Sequence, residues 1–275
     1  MIVAGIDMGG KVAKAIVMKD GEVLGQASTL TGIKRAEAAE KVYAEALKEA
    51  GLRREDVECV VATGSGAARV EFADGRIPDA AADARGVTHL LPSVRTILDV
   101  GAEEGRAIKC SPDGRVLDFA VNEKCAAGTG TFIEAMARAL EVRTEEIGEL
   151  ALRSTQSIPM NAQCAVFGES EVVSLVHSKV PKPDIARSVH DAIAGRIGSV
   201  ARIVGLEDDI ALVGGVARNV GFVESLKKEL GREIKVLEEP DFVGALGCAL
   251  AAAAGVLEEK VEAKEVKREI YEEGR

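Results

Sequence analysis

The sequence predicts an α/β protein of two related lobes with a ligand cleft between them. Three observations carry this. A strand that ends in an acid and glycine and turns back as a hairpin occurs twice, at "IVAGIDMGG" and "TILDVGAEEG", about 92 residues apart. Strand patterns alternate with amphipathic helical patterns along the chain. A third glycine turn, "LVGGVARN", ends a strand and opens a helix. Ligands gather where strands end in such turns.

The elements follow in order. "IVAGID" reads as a buried strand, and "KAIVMKDGEVLGQAS" as a hairpin with a Lys-Asp-Gly turn. "RAEAAEKVYAEALKEAGL" places Ala39, Val42, Ala46 and Leu47 on one side of a helix that Gly51 stops. "VECVVATG" is a further buried strand. "TILDVGAEEGRAIKCSPDGRVLDFAV" repeats the opening strand and hairpin, a duplication of pattern and not of residue identity. "TFIEAMARALEV" puts Phe132, Met136, Ala139 and Leu140 on one helical face, and "AVFGESEVVSLVHSKV" does so with Val166, Val173 and Val176. "PDIARSVHDAIAGRIGSVARIVG" is a longer helix. "DIALVGGVARNVG" is strand, turn and helix, and "VGALGCALAAAAG" is a helix of small residues fit for close packing. The charged tail "EEKVEAKEVKREIYEEGR" reads as a solvated helix or frayed end.

A chain of 275 residues suits one large or two moderate domains, and 47% hydrophobic with 29% charged residues is a globular profile. The net charge of -10 argues against a nucleic-acid or anionic-membrane footprint, and 3% aromatics without Trp against base-stacking platforms. No apolar run reaches membrane-spanning length. The start enters a strand with no basic leader, so a cytoplasmic location is expected. Five cysteines in such a chain point to metal or redox use, not to a disulfide framework.

The glycine turns point to a nucleotide. In "GIDMGGKVAK", Gly9 and Gly10 let backbone N–H groups approach phosphate oxygens. Asp7 can hold Mg²⁺ through water, because that ion dehydrates reluctantly, and Lys11 or Lys14 can offset phosphate charge. "LDVGAEEG" supplies a second turn with Asp99, Gly101, Glu103 and Glu104. "LVGGVARN", with Gly214, Gly215 and Asn219, suits the nucleoside. Neither a P-loop nor a Rossmann fingerprint is present. The order of the three turns resembles the sugar kinase, actin and heat-shock ATPase superfamily, which implies two ribonuclease-H-like lobes (the acetate and sugar kinase fold) clamping ATP and Mg²⁺. The lobes expected are 1–94 with 244–275, and 95–243.

Two cysteines stand before helices. Cys125 precedes Gly128, Thr129 and Gly130, and Cys164 precedes "AVFGESEVV". A helix N-terminus lowers a thiol pKa. Their spacing of 39 positions matches no zinc motif. A [4Fe–4S] cluster takes about four thiolates, so two chains with two each can share one cluster. The competing reading is a small buried residue, applied to Cys59 and Cys248; Cys110 has no assigned role. His89, His177 and His190 are scattered and read as surface or packing residues.

The strings "NEKCAAGTGTFIEAMARALEV", "NAQCAVFGESEVVSLV", "LVGGVARNVGFVESL" and "EPDFVGALGCALAAA" closely resemble the ATP-dependent activators of 2-hydroxyacyl-CoA dehydratases and the ATP-binding subunits of benzoyl-CoA reductase. The resemblance runs from about Ile2 to Gly255, and "ARGVTHLLPSVRTILDVGAEEGRAIK" looks more like the reductase D-type subunit. It implies ATP hydrolysis coupled to injecting a low-potential electron into an acyl-CoA reductase or dehydratase. It also implies a [4Fe–4S] cluster between two subunits, with Cys125 and Cys164 as ligands. The two subunits would be a homodimer or a heterodimer with a related ATPase subunit, and a donor such as ferredoxin would supply the electrons. Three departures stand out. After Asp7 the activators read Gly-Ser-Thr-Thr-Thr-Lys where this chain has "GGKVAK", keeping Lys14 without the hydroxyls. Glu103 takes the place of a Gln and is expected to orient the attacking water. Ala82 and Asp83 stand where Cys-His is common. A small-molecule kinase of the same superfamily, with Asp118 or Glu134 as base and structural cysteines, is the alternative.

Overall fold

The computed structural model describes residues 1–122, 129–160, 165–259 and 261. Its first sheet comprises β1 (Ile2–Met8), β2 (Val12–Lys19), β3 (Glu22–Leu30), β4 (Cys59–Thr63) and β5 (Gly75–Arg76), in the order β3-β2-β1-β4-β5. Its second comprises β6 (Thr96–Val100), β7 (Gly105–Cys110), β8 (Val116–Val121), β9 (Ile210–Val213) and β10 (Ile234–Val236), in the order β10-β9-β6-β7-β8. The two orders are one pattern. Each central strand, β1 or β6, has an antiparallel meander on one side and two parallel strands on the other. The duplication expected from the two hairpins therefore extends to the whole sheet.

Local chemistry explains the meanders. Asp20 and Gly21 both have positive φ (51° and 91°), the conformation a two-residue hairpin between β2 and β3 requires. The helices are α1 (Arg35–Ala50), α2 (Asp79–Leu90), α3 (Gly130–Ala139), α4 (Ile147–Ala151), α5 (Ala165–His177), α6 (Lys182–Val204), α7 (Val220–Leu230) and α8 (Val243–Ala253). Gly51 ends α1 in the left-handed region, as its place in the pattern predicts.

Alternation along the central strands sets the layers. Ala4, Ile6 and Met8 face α1, while Val3 joins the cluster of α8. Ile97 meets α2, while Leu98 and Val100 join the large cluster of α3, α6 and α7. Helices α2 and α8 thus fill the space between the sheets, and small residues let them close up. A Cβ on Gly5 would strike the Ala245 carbonyl, and one on Gly247 would strike that of Ala82. This brings the carboxyl ends of β1 and β6 to one place.

Two expectations need correction. Val166, Val173 and Val176 of α5 are solvent-exposed; Gly168 and Val172 are the buried residues of that helix. Gly168 lies against the Phe132 ring, where an added Cβ would stand 3.0 Å from Cε2. The apolar stripe is real, but the described part of the chain does not cover it. Short or Ala-rich elements, namely α2, α4, β5 and β10, have no counterpart in the sequence reading. Most of the charged tail lies outside the described residues.

Candidate functional site

A cleft of ≈ 510 Å³ opens where β1, β4, β6 and β9 end. Its walls include Asp7, Gly9, Gly10, Lys11, Lys14, Asp99, Gly101, Glu103, Gly130, Gly214, Gly215 and Asn219. Chain segments more than 200 residues apart thus supply one site. Thr129 is fully buried, with its Oγ1 3.1 Å from Thr131 Oγ1, and does not line the cleft. Gly128, Cys125 and Cys164 lie outside the described residues.

The two hairpins present matching acid–base pairs. Asp7 opposes Lys14 in register, and Lys14 Nζ donates to Asp7 Oδ2 at 3.1 Å. Asp99 opposes Arg106, whose guanidinium donates to Asp99 Oδ2 at 2.7 Å. Burial raises the Asp7 carboxyl, with Lys14 opposing it. Burial likewise pushes Asp99 up to about 6 against the pull of Arg106. Lys14 and Arg106 suffer desolvation, yet the facing carboxylates hold both above their ordinary range. Arg106 also pairs with Glu104 and stands 3.6 Å from Asp79 at the start of α2.

Asp83, one turn further along α2, is 6% exposed and on the cleft wall. Its Oδ2 has no hydrogen-bond partner among the described residues. Burial first, and the Asp99 charge next, hold its carboxyl well above the usual range. Aligning "DMGGKVAK" with "DVGAEEGR" yields Asp-x-Gly-x-x-x-x-Lys/Arg in both. That match was the available signal for Arg106. For Asp79 it lay in nothing but topology, and for Asp83 in its place among the departures from the resembled family.

The loops are fixed around this centre. Thr31 Oγ1 donates to the Gly9 carbonyl at 2.8 Å, and the Thr31 N–H to that of Lys11 at 2.9 Å. A Cβ on Gly10 would collide with the Glu103 carboxylate, so the first glycine loop touches the second. Gly214 has φ +85°, and a Cβ there would stand 2.5 Å from Asp99 Oδ1, so only glycine fits. Asn219 Oδ1 caps α7 by accepting from the Phe222 N–H at 3.1 Å. The N-termini of α2, α3 and α7 all reach the cleft, and helix N-termini favour anions.

Charge decides what can enter. Ten carboxylates and four cationic side chains line the walls. A polyphosphate cannot enter such a site without accompanying cations. No group of three ligating side chains among the described residues is placed to hold a metal directly. A water-clad Mg²⁺ carried in on phosphate, touching one or two carboxylates, fits that donor set. Asp118, on β8, is away from the cleft, whereas Glu134 lines it and pairs with Lys11.

The model of the BadF/BadG/BcrA/BcrD ATPase family matches residues 4–252. The chain belongs to that family. Among family relatives, the 2-hydroxyisocaproyl-CoA dehydratase activator of Clostridioides difficile is 35% identical over 266 residues, 97% of this chain and 100% of its own length. The D-type subunit of benzoyl-CoA reductase from Thauera aromatica is 34% identical over 221 residues, 78% of each chain. The solved structure of a Clostridium difficile 2-hydroxyisocaproyl-CoA dehydratase activator with bound ADPNP superposes with a TM-score of 0.87 at 34% identity, covering 96% of this chain and 100% of that one. A Streptomyces griseus ROK family glucokinase superposes with a TM-score of 0.59 at 15% identity, covering 93% of this chain and 100% of that one. That likeness shows the fold alone: the sugar kinase and actin-like ATPase architecture expected from the glycine turns.

The other cysteines and the histidines divide between packing and surface positions. Cys248 and Cys110 are buried, which raises their thiols, Cys110 to about 11. Cys59 is half-buried, and His89 and His177 are exposed. His190 is fully buried, with Nδ1 2.7 Å from the Ala186 carbonyl. No described helix is long and apolar enough to cross a membrane.

Proposed function

We propose that this chain hydrolyses ATP in the cleft and couples hydrolysis to passing a low-potential electron from a [4Fe–4S] cluster, shared by two subunits, into an acyl-CoA dehydratase or reductase. The observation that carries this is similarity over 97% of this chain to a dehydratase activator and over 78% to a reductase subunit, on a chain whose cleft repeats one acid–base hairpin on each side. The glycine loops at Gly9–Gly10, Gly101 and Gly214–Gly215 would hold the phosphates and nucleoside, with Lys14 and Arg106 keeping Asp7 and Asp99 in place for a hydrated Mg²⁺. Glu103 would orient the attacking water. Catalysis is then positioning and charge stabilisation.

Cys125 and Cys164 would hold the cluster, which when bound supplies a one-electron couple whose potential depends on its surroundings. Support comes from the helices that follow them: Phe132 near the start of α3 packs on Gly168 near the start of α5, so both cysteine segments lead into one packed pair. The boundary between lobes is proposed at 1–94 with 244–275 against 95–243, which places the phosphate loops on opposite sides of the cleft. Iron and acid-labile sulfide in oxygen-free material test the reading. About two irons per chain in a dimer are expected, and Cys125→Ser removes them while ATP binding persists. Metal-free chains, or a full cluster in Cys125→Ser, contradict it.

A further inference from the structure

We propose that Glu134 competes with the terminal phosphate of ATP for Lys11, making this pair a nucleotide-sensing latch between the first glycine loop and α3. Lys11 follows Gly10 on the cleft wall and forms an ion pair with Glu134, the fifth residue of α3. The partners are 123 positions apart in sequence: Lys11 belongs to the first sheet's hairpin, and α3 packs on the second sheet. The same helix is tied to the second glycine loop. The Gly130 N–H donates to the Gly101 carbonyl at 2.9 Å, and the Thr131 N–H to that of Ala102 at 3.0 Å. Helix α3 is therefore attached to both phosphate loops.

Magnitudes decide the exchange. Lys11 is 45% exposed and Glu134 24%, so their pair is a partly solvated one of small net value. A terminal phosphate brings more charge and a stronger charge-assisted hydrogen bond to the same ammonium. Once Lys11 turns to phosphate, Glu134 faces that anion in a wall already rich in carboxylates and is repelled. The displacement acts on α3, which begins five positions after Cys125 in the sequence. Hydrolysis and phosphate loss return Lys11 to Glu134. The inference rests on the ATP reading above and adds the residue that reports the nucleotide's state.

The test uses the full chain with Mg²⁺ and either β,γ-imido-ATP or ADP, measuring both affinities and hydrogen exchange of residues 130–139. Wild type is expected to show faster exchange in α3 with imido-ATP than with ADP. Glu134→Gln should tighten imido-ATP about threefold, the scale of such an ion pair, leave ADP unchanged, and hold α3 exchange at its fast level with either nucleotide. Lys11→Met should weaken imido-ATP about tenfold with the same loss of response in α3. The exchanged pair Lys11→Glu with Glu134→Lys should restore slow exchange but no response. An unchanged imido-ATP to ADP ratio in Glu134→Gln, or an α3 that still responds in both single variants, overturns the latch alone. A wild-type chain that binds neither nucleotide overturns the ATP reading and the latch with it.

Discussion

Arg106 shows how one side chain can organise a site that sequence motifs only outline. Its side chain is 13% exposed, and it faces Asp99 and Asp79 while pairing with Glu104. Replacing it with Met leaves Asp99 in a desolvated place without its counter-charge. Breaking a buried pair in this way costs roughly 3–5 kcal/mol, so Arg106→Met should lose about that much in denaturant unfolding, and Arg106→Lys less. Asp7→Asn should abolish Mg²⁺-dependent ATP hydrolysis while leaving iron content intact, as assayed by phosphate release and metal analysis. His190 gives a pH signature of its own. Burial holds its ring neutral down to about 4, against 6.5 when exposed. The contribution of His190 to stability is therefore complete above pH 6.5 and declines as pH falls towards 4, by about 3 kcal/mol in total. The raised carboxyl of Asp99 contributes with the opposite sign, its penalty disappearing as pH falls below about 6. Denaturant titrations from about pH 7 to 4 should show that slope in the difference between wild type and His190→Gln, in which the carboxylate contributions common to both cancel. A difference between the two proteins that does not change with pH assigns the effect to other groups.

Among the elements, hairpins and long helices were legible because their periods and turn residues are local properties. The β2–β3 turn and the Gly51 stop fall where the residue pattern puts them. Helix α2 was not legible. Its run "DAAADARGVTHL" is Ala-rich and buried on most sides between α8 and the second sheet, so its polar residues do not mark a solvent face. That is why Asp79 escaped notice and Asp83 was noted only as a departure from the resembled pattern, with no place in the site. Strands β5 and β10, of two and three residues, are too short to show alternation. For α5 the stripe Val166–Val173–Val176 is visible in sequence, but a stripe does not state what covers it. Gly168 supplies the contact instead. Gly168→Val should wedge α5 away from Phe132, since the first added carbon already stands 3.0 Å from the ring. Overpacking of that kind costs about 1–3 kcal/mol. The variant is expected to lose iron in anoxic preparations while binding ATP normally, and retention of iron would show that the α3–α5 contact does not position the cysteines.

On the scale of the molecule, one sheet has been used twice, with matching order, matching cross-strand acid–base pair and matching glycine after the neighbouring parallel strand. Gly64 after β4 and Gly214 after β9 both have positive φ, and a Cβ on either would press on Asp7 or Asp99 respectively. The sequence displays the hairpin half of each repeat as a match; strands β4 and β9 with their glycines are legible singly but not as counterparts, because they arrive after insertions of different length. The two halves meet over a cleft whose walls repel an unaccompanied polyanion, and a helix leading from each cysteine packs nearby. A nucleotide held by loops from both halves, as proposed, is expected to act on both at once. The most direct measurement is the midpoint potential of the anoxically purified chain with Mg²⁺ and imido-ATP, compared with Mg²⁺ and ADP. A one-electron couple that shifts between the two nucleotides by about 60 mV or more, a tenfold bias, is expected. A couple that ignores the nucleotide, or no couple at all, contradicts the coupling of ATP to electron transfer.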